Sequence, residues 1–163
     1  MKVLLIDADE DEFVLNSDLL EEARSGSFQL DWADTYEEAL AALIQGRHDA
    51  YLLDYRLGSH TGIDLLKEVR DRGLHRAMIL LTGQGDDAVD QTAMELGASD
   101  YLIKGEVSAV TLERAIRYAV EKEKSQERSR FQAEILQNVH DAVFYGDRGG
   151  RSEGWNEGAT RIF

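Results

Sequence analysis

Apolar residues along this chain follow two alternating rhythms. Short, nearly continuous apolar runs lie at 3–6, 28–33, 50–53, 78–81 and 101–103, most of them bounded by Asp, Gly or Thr. Each is too short for a helix, and a run without polar alternation reads as a strand covered on both faces. The longer stretches between them carry helical spacing. Phe13, Leu15, Leu19, Leu20 and Ala23 predict one helix ending at Gly26. Thr35 to Glu38 spells a capping box and opens a second, through Ala39, Leu40, Leu43 and Ile44 to Gly46. Thr61 to Asp64 opens a third, through Leu65, Leu66 and Val69 to Gly73, and 88–96 before Gly97 makes a fourth. Five strands alternating with helices predict an α/β fold, a doubly wound five-stranded parallel sheet. Right-handed crossovers then set the ligand crevice at the carboxyl ends of the strands.

After Gly105 the rhythm changes to one extended C-terminal helix. Val110, Leu112, Ile116 and Val120 are spaced to pack back on the sheet. The run EKEKSQERSR at 121–130 has no apolar face, which predicts a solvated helix or connector. Apolar spacing resumes at Phe131, Ile135, Leu136 and Val139, although Glu, Gln and Arg occupy candidate seam positions of a coiled coil. Turn signals at 146–150 between two short apolar segments suggest a hairpin. The predicted organisation is a domain over 1–120, a helical linker over 121–139 and a separate piece over 140–163.

Charge sharpens that boundary. The 163 residues hold 32 acids and 18 bases, a formal net charge of −14. Residues 1–105 account for 22 acids and 9 bases, while 106–163 hold 10 and 9. Such an acid excess argues against nucleic acid or an anionic membrane as a direct partner. No cysteine is present, which excludes a disulfide scaffold, a thiolate metal site and a cysteine nucleophile. No run approaches the ~18 apolar residues of a membrane span, so a cytoplasmic protein is expected. Proline is absent too, where ordinary usage would give roughly eight.

The candidate chemistry sits where the predicted strands end. The first ends at Asp7, followed by Ala8, Asp9, Glu10, Asp11 and Glu12; the third ends at Asp54, the fourth at Thr82 and the fifth at Lys104. Carboxylates gathered at one sheet edge repel one another unless a cation or the lysine sits among them, and a hard cation such as Mg2+ suits an all-oxygen set. A carboxylate so placed is equipped to accept a phosphoryl group, with metal and ammonium neutralising its oxygens. The four histidines show no metal-ligand spacing and receive no role.

Asp54 in YLLDYRLGSHTG, Thr82 in ILLTGQG and Lys104 in GASDYLIKG, behind the strand VLLID, resemble the receiver domain of bacterial two-component response regulators, over about residues 1–118. The resemblance implies a flavodoxin-like receiver fold. It implies Asp54 as the phosphoacceptor, served by a sensor histidine kinase or phosphotransfer protein, with Thr82 and Lys104 holding the phosphoryl oxygens. It also implies Tyr101 as a switch aromatic that moves inward with Thr82, and Mg2+ held by Asp7, Asp54 and the backbone carbonyl of Arg56. Ala8 stands where the family has its second acid, leaving Asp9 as the substitute ligand. Gly58 and Gly105 stand where the family commonly has proline, which implies a trans Lys104–Gly105 bond and freer loops.

The terminal DAVFYGDRGGRSEGWNEGATRIF looks like the opening of a PAS domain, implying a fragment of a longer receiver–PAS protein. A homodimer through the extended helix is expected, burying Phe131, Ile135, Val139, Phe144 and Trp155. Beyond its own phosphoryl transfer and autodephosphorylation, no enzymatic activity is expected. Two alternatives remain. Ala8 permits a non-phosphorylated pseudo-receiver scaffold. Asp7-Ala8-Asp9 also resembles the DxD of haloacid-dehalogenase phosphatases, although only Glu106 follows Lys104 where that family needs an acidic pair.

Overall fold

The computed structural model describes residues 1–23, 26–83, 87–138, 144–146 and 152–155. Among the described residues the strands run in the order β1 (Lys2–Ile6), β2 (Gln29–Ala33), β3 (Ala50–Asp54), β4 (Arg56–Leu57), β5 (His60–Thr61), β6 (Met78–Thr82), β7 (Asp100–Ile103), β8 (Phe144–Gly146) and β9 (Ser152–Trp155). The helices are α1 (Glu10–Glu21), α2 (Tyr36–Gln45), α3 (Gly62–Asp71), α4 (Asp87–Glu95) and α5 (Ala109–Asn138). Two compact units divide the chain between Glu123 and Lys124. Among the described residues no helix is long and apolar enough to cross a membrane.

The first unit is the predicted doubly wound sheet. Its strand order is β2-β1-β3-β6-β7, and every neighbouring pair is parallel. Residues alternate between two cores, as a period of two requires. Val3, Leu5, Ala50, Leu52, Ile79 and Leu81 face Leu20 of α1 and Leu112, Ile116 and Val120 of α5. Leu4, Ile6, Tyr51, Leu53 and Leu80 face Leu43 of α2, Leu65, Leu66 and Val69 of α3, and Ala93 of α4. Both sheet faces are therefore buried, which is why the strands read as continuous apolar runs.

Three apolar residues expected in the core lie outside it. Val110 is 61% exposed, and Leu15 and Ile44 are also exposed. Helical phase explains each, since successive residues turn by about 100°. Val110 lies two residues before buried Leu112, Ile44 one after buried Leu43, and Leu15 five before buried Leu20. Asn16 takes the position that Leu15 was expected to share, with its side-chain amide bonded to the Glu12 carbonyl at 2.8 Å.

The segment after Asp54 is more ordered than its glycine implied. β4 and β5 form a short antiparallel pair, Arg56 opposite Thr61 and Leu57 opposite His60. Gly58 turns that pair at φ +61, a conformation closed to proline. Thr61 then caps α3 with the full reciprocal box: its hydroxyl accepts from the Asp64 amide, and the Asp64 carboxylate accepts from the Thr61 amide. There is no cis peptide bond among the described residues, so the Lys104–Gly105 bond is trans.

In the second unit, the end of α5 is followed by β8 and β9, which pair antiparallel with Phe144 opposite Trp155. Phe131 and Ile135 are exposed, at 62% and 48%, one helical turn apart. Val139 and the side chains of Phe144 and Trp155 lie outside the described residues.

Candidate functional site

Register alone assembles the site. Ile6 pairs with Leu53, Asp54 with Leu81, and Thr82 with Ile103. Asp7, Asp54, Thr82 and Lys104 are therefore brought to one edge of the sheet, Lys104 opening the 3-10 turn that follows β7.

The Lys104 ammonium is the centre of the arrangement. It lies 2.7 Å from Asp7 Oδ2 and 3.0 Å from Asp54 Oδ1, and 3.8 Å from Glu12 Oε1. Asp7 is only 2% exposed. Its second oxygen, Oδ1, accepts from the Asp9 amide at 2.9 Å, and its backbone carbonyl accepts from the Trp32 indole at 2.7 Å. Burial pushes the Asp54 carboxyl above the ordinary carboxylate range, against the pull of Lys104 and a bond from the Arg56 amide. Burial alone would lower the Lys104 ammonium; its bonds to Asp7 and Asp54 outweigh that and hold it above its usual value.

Thr82 is 4% exposed, and its hydroxyl has no hydrogen-bond partner among the described residues. A buried hydroxyl without a partner costs about 1–3 kcal/mol, so such a group is kept in native folds for a reason. Tyr101 lies on β7 with 40% exposure, its ring outside the core. Gly62 closes the floor: a Cβ there would sit 2.6 Å from the Asp54 carbonyl oxygen.

Asp9 occupies a different place from Asp7 and Asp54. It is the N-cap of α1, accepting from the Asp11 amide at 2.9 Å, and it is exposed. Glu12, which received no individual role from the sequence, is half-buried beside the lysine. Burial raises its carboxyl, with the Asp7, Asp9 and Asp54 charges adding to the rise and Lys104 opposing it. The signal was present in the spacing, because an N-cap at Asp9 puts Glu12 in the first turn, above the strand ends.

Three carboxylates around one ammonium leave two negative charges uncompensated. That donor set is all oxygen and fits a hard divalent cation. Among the described residues no group of three or more Asp, Glu or His side chains is arranged to hold a metal ion.

Comparison with known proteins decides the family. The family model described as "Response regulator receiver domain" matches residues 3–117. The chain belongs to the response regulator receiver domain family. Among curated proteins it is 31% identical over 106 residues to the transcriptional regulatory protein QseB of Escherichia coli O157:H7, covering 64% of this chain and 46% of that protein. It is 35% identical over 103 residues to the acid tolerance regulatory protein ActR of Sinorhizobium medicae, covering 63% of this chain and 52% of the relative. The chain thus spans about half the length of these curated relatives. Among solved structures, a response regulator receiver domain protein from Clostridium thermocellum superposes with a TM-score of 0.67 at 30% identity, covering 77% of this chain and 98% of its own. A CheY-like receiver domain protein from Methanospirillum hungatei gives 0.66 at 21% identity, covering 77% and 97%, and supports the fold. Receiver domains of this family serve two-component signalling, taking phosphoryl groups from histidine kinases.

Proposed function

We propose that this receiver domain is a phosphorylation-dependent switch in which Asp54 accepts the phosphoryl group. The observation that carries the reading is the partially buried Asp54 carboxylate, held by Lys104 beside a buried Thr82 hydroxyl that lacks a partner. In the transfer, an Asp54 oxygen forms a bond to phosphorus as the bond from phosphorus to the kinase imidazole nitrogen breaks, the electron pair leaving with the imidazole. Lys104 stays beside the oxygens that gain charge, and Thr82 donates its hydroxyl hydrogen to one of them. Asp7, Asp54, the Arg56 carbonyl and, in place of the acid that Ala8 lacks, Asp9 would hold Mg2+, which when bound would neutralise phosphoryl charge.

Drawing Thr82 inward leaves space that Tyr101 fills, and the outer face of β7 and α5 then presents a different surface. That change passes to the C-terminal segment, read as a connector into a PAS-containing output. Phe131 and Ile135 form the described part of a homodimer contact. The protein is a switch, with no catalysis beyond its own phosphoryl transfer and hydrolysis.

Incubation with acetyl phosphate and Mg2+, followed by intact-mass measurement, tests this reading. One added phosphoryl group, absent in Asp54→Asn, is expected. No adduct on a folded chain leaves the pseudo-receiver scaffold that Ala8 permits. Turnover of a phosphate ester that Asp7→Asn abolishes would favour a phosphatase.

A further inference from the structure

We propose that Trp32, on the edge strand β2, is a positioning residue for phosphoryl transfer: its indole N–H fixes the backbone of Asp7 and, through Asp7, the place of the Lys104 ammonium beside Asp54. This rests on the phosphoacceptor reading above and deepens it. β1 separates β2 from β3, the strand that carries Asp54. The ladder between β1 and β2 closes with Ile6 opposite Ala33, and the Asp7 amide donates to the Ala33 carbonyl at 3.1 Å. The Asp7 carbonyl lies past the last pair of that ladder, and the Trp32 indole supplies its donor at 2.7 Å. Trp32 itself stands opposite Leu5, so its ring reaches two residues along the neighbouring strand.

Every polar group of Asp7 is thereby engaged. Its Oδ1 accepts from the Asp9 amide at 2.9 Å, and its Oδ2 lies 2.7 Å from the Lys104 ammonium, which stands 3.0 Å from Asp54 Oδ1. Asp7 is buried, so water does not readily replace a lost donor. Without the indole, the peptide after Asp7 turns to seek another partner, and the carboxylate on the same Cα turns with it. The ring is itself held in place. It stacks on Phe13 of α1, with centroids 5.5 Å and planes 19° apart, and both rings pack against the core on that face of the sheet. Because α1 starts from the Asp9 cap that Asp7 Oδ1 engages, Trp32 grips Asp7 directly and braces the helix that follows it. Packing asks only for an apolar ring at position 32; the donor aimed at one carbonyl is what the reaction adds.

The test follows adduct formation on the full chain by intact mass, over a range of acetyl phosphate concentrations with Mg2+ present. Trp32→Phe keeps an aromatic ring for the core and loses the donor. It is expected to lower the maximal rate by about tenfold and to leave the half-saturating acetyl phosphate concentration within about twofold. Phe13→Leu removes the stack and keeps the donor, and is expected to change the rate by less than about twofold, even where its melting temperature falls as far. A second readout needs no variant to fold well. The chain has two tryptophans, and the Trp32 indole N–H resonance of the isotope-labelled wild type is expected to shift as the adduct forms, but not in Asp54→Asn. An unchanged rate in Trp32→Phe, rate losses that merely follow melting temperature in both variants, or an indole resonance that stays in place as the wild type is phosphorylated overturns the Trp32 assignment, while an Asp54 adduct keeps the switch reading. A wild-type chain that forms no adduct overturns both.

Discussion

Lys104 stands between two carboxylates, one of them almost wholly buried, and its removal leaves their repulsion uncompensated. Lys104→Met is expected to destabilise the fold by about 3–5 kcal/mol in urea unfolding at neutral pH, with Mg2+ recovering part of the loss. Gly62 tests the other side of the site. A methyl group there meets the Asp54 carbonyl oxygen at 2.6 Å and Leu80 at 3.0 Å. Gly62→Ala is expected to cost about 1–3 kcal/mol and to slow adduct formation, because relief of the clash moves Asp54. A third residue-scale prediction concerns pH. The hydrogen bond from His48, 2.8 Å away, holds the Asp31 carboxyl below its ordinary value. A depressed acid contributes stability that is present above its unfolded pKa and lost as pH falls through the folded one. Asp31→Asn should therefore be less stable than wild type near neutrality, and the two melting curves should converge as pH falls below the ordinary carboxylate range.

At the scale of elements, most of the sheet was legible because its strands are buried on both faces and read as plain apolar runs. The capping spelling at Thr61 placed the start of α3 to the residue, since the box is a local arrangement of side chain and backbone. Legibility failed where tertiary phase decides. Val110 and Leu15 have the right chemistry but point away from the sheet, and Asn16 lies inside because its amide finds the Glu12 carbonyl. The β4–β5 pair was also missed, because two-residue strands are too short to show a pattern. Asp7, Asp54, Thr82 and Lys104 could be read from strand ends. Glu12 follows only once Asp9 is taken as the N-cap, since that puts it in the first turn of α1 beside them.

For the whole molecule, the charge of −14 divides between a general surface and the site itself. Five of the 32 acids lie between Asp7 and Glu12, and of these Asp7 and Glu12 meet Lys104 while Asp9 caps a helix. The exposed Phe131 and Ile135 on α5 are the basis of the proposed self-association. Sedimentation equilibrium should give the mass of a dimer, and Phe131→Glu combined with Ile135→Glu should give a monomer that still accepts a phosphoryl group. The central claim, that Asp54 is the acceptor, is tested most directly by locating the group. The wild-type chain is treated with acetyl phosphate and Mg2+, reduced with borohydride to trap the acyl phosphate, cleaved and sequenced by tandem mass spectrometry. The account predicts modification at Asp54 alone; modification at Asp7 or at a histidine, with Asp54 unaltered, would contradict it.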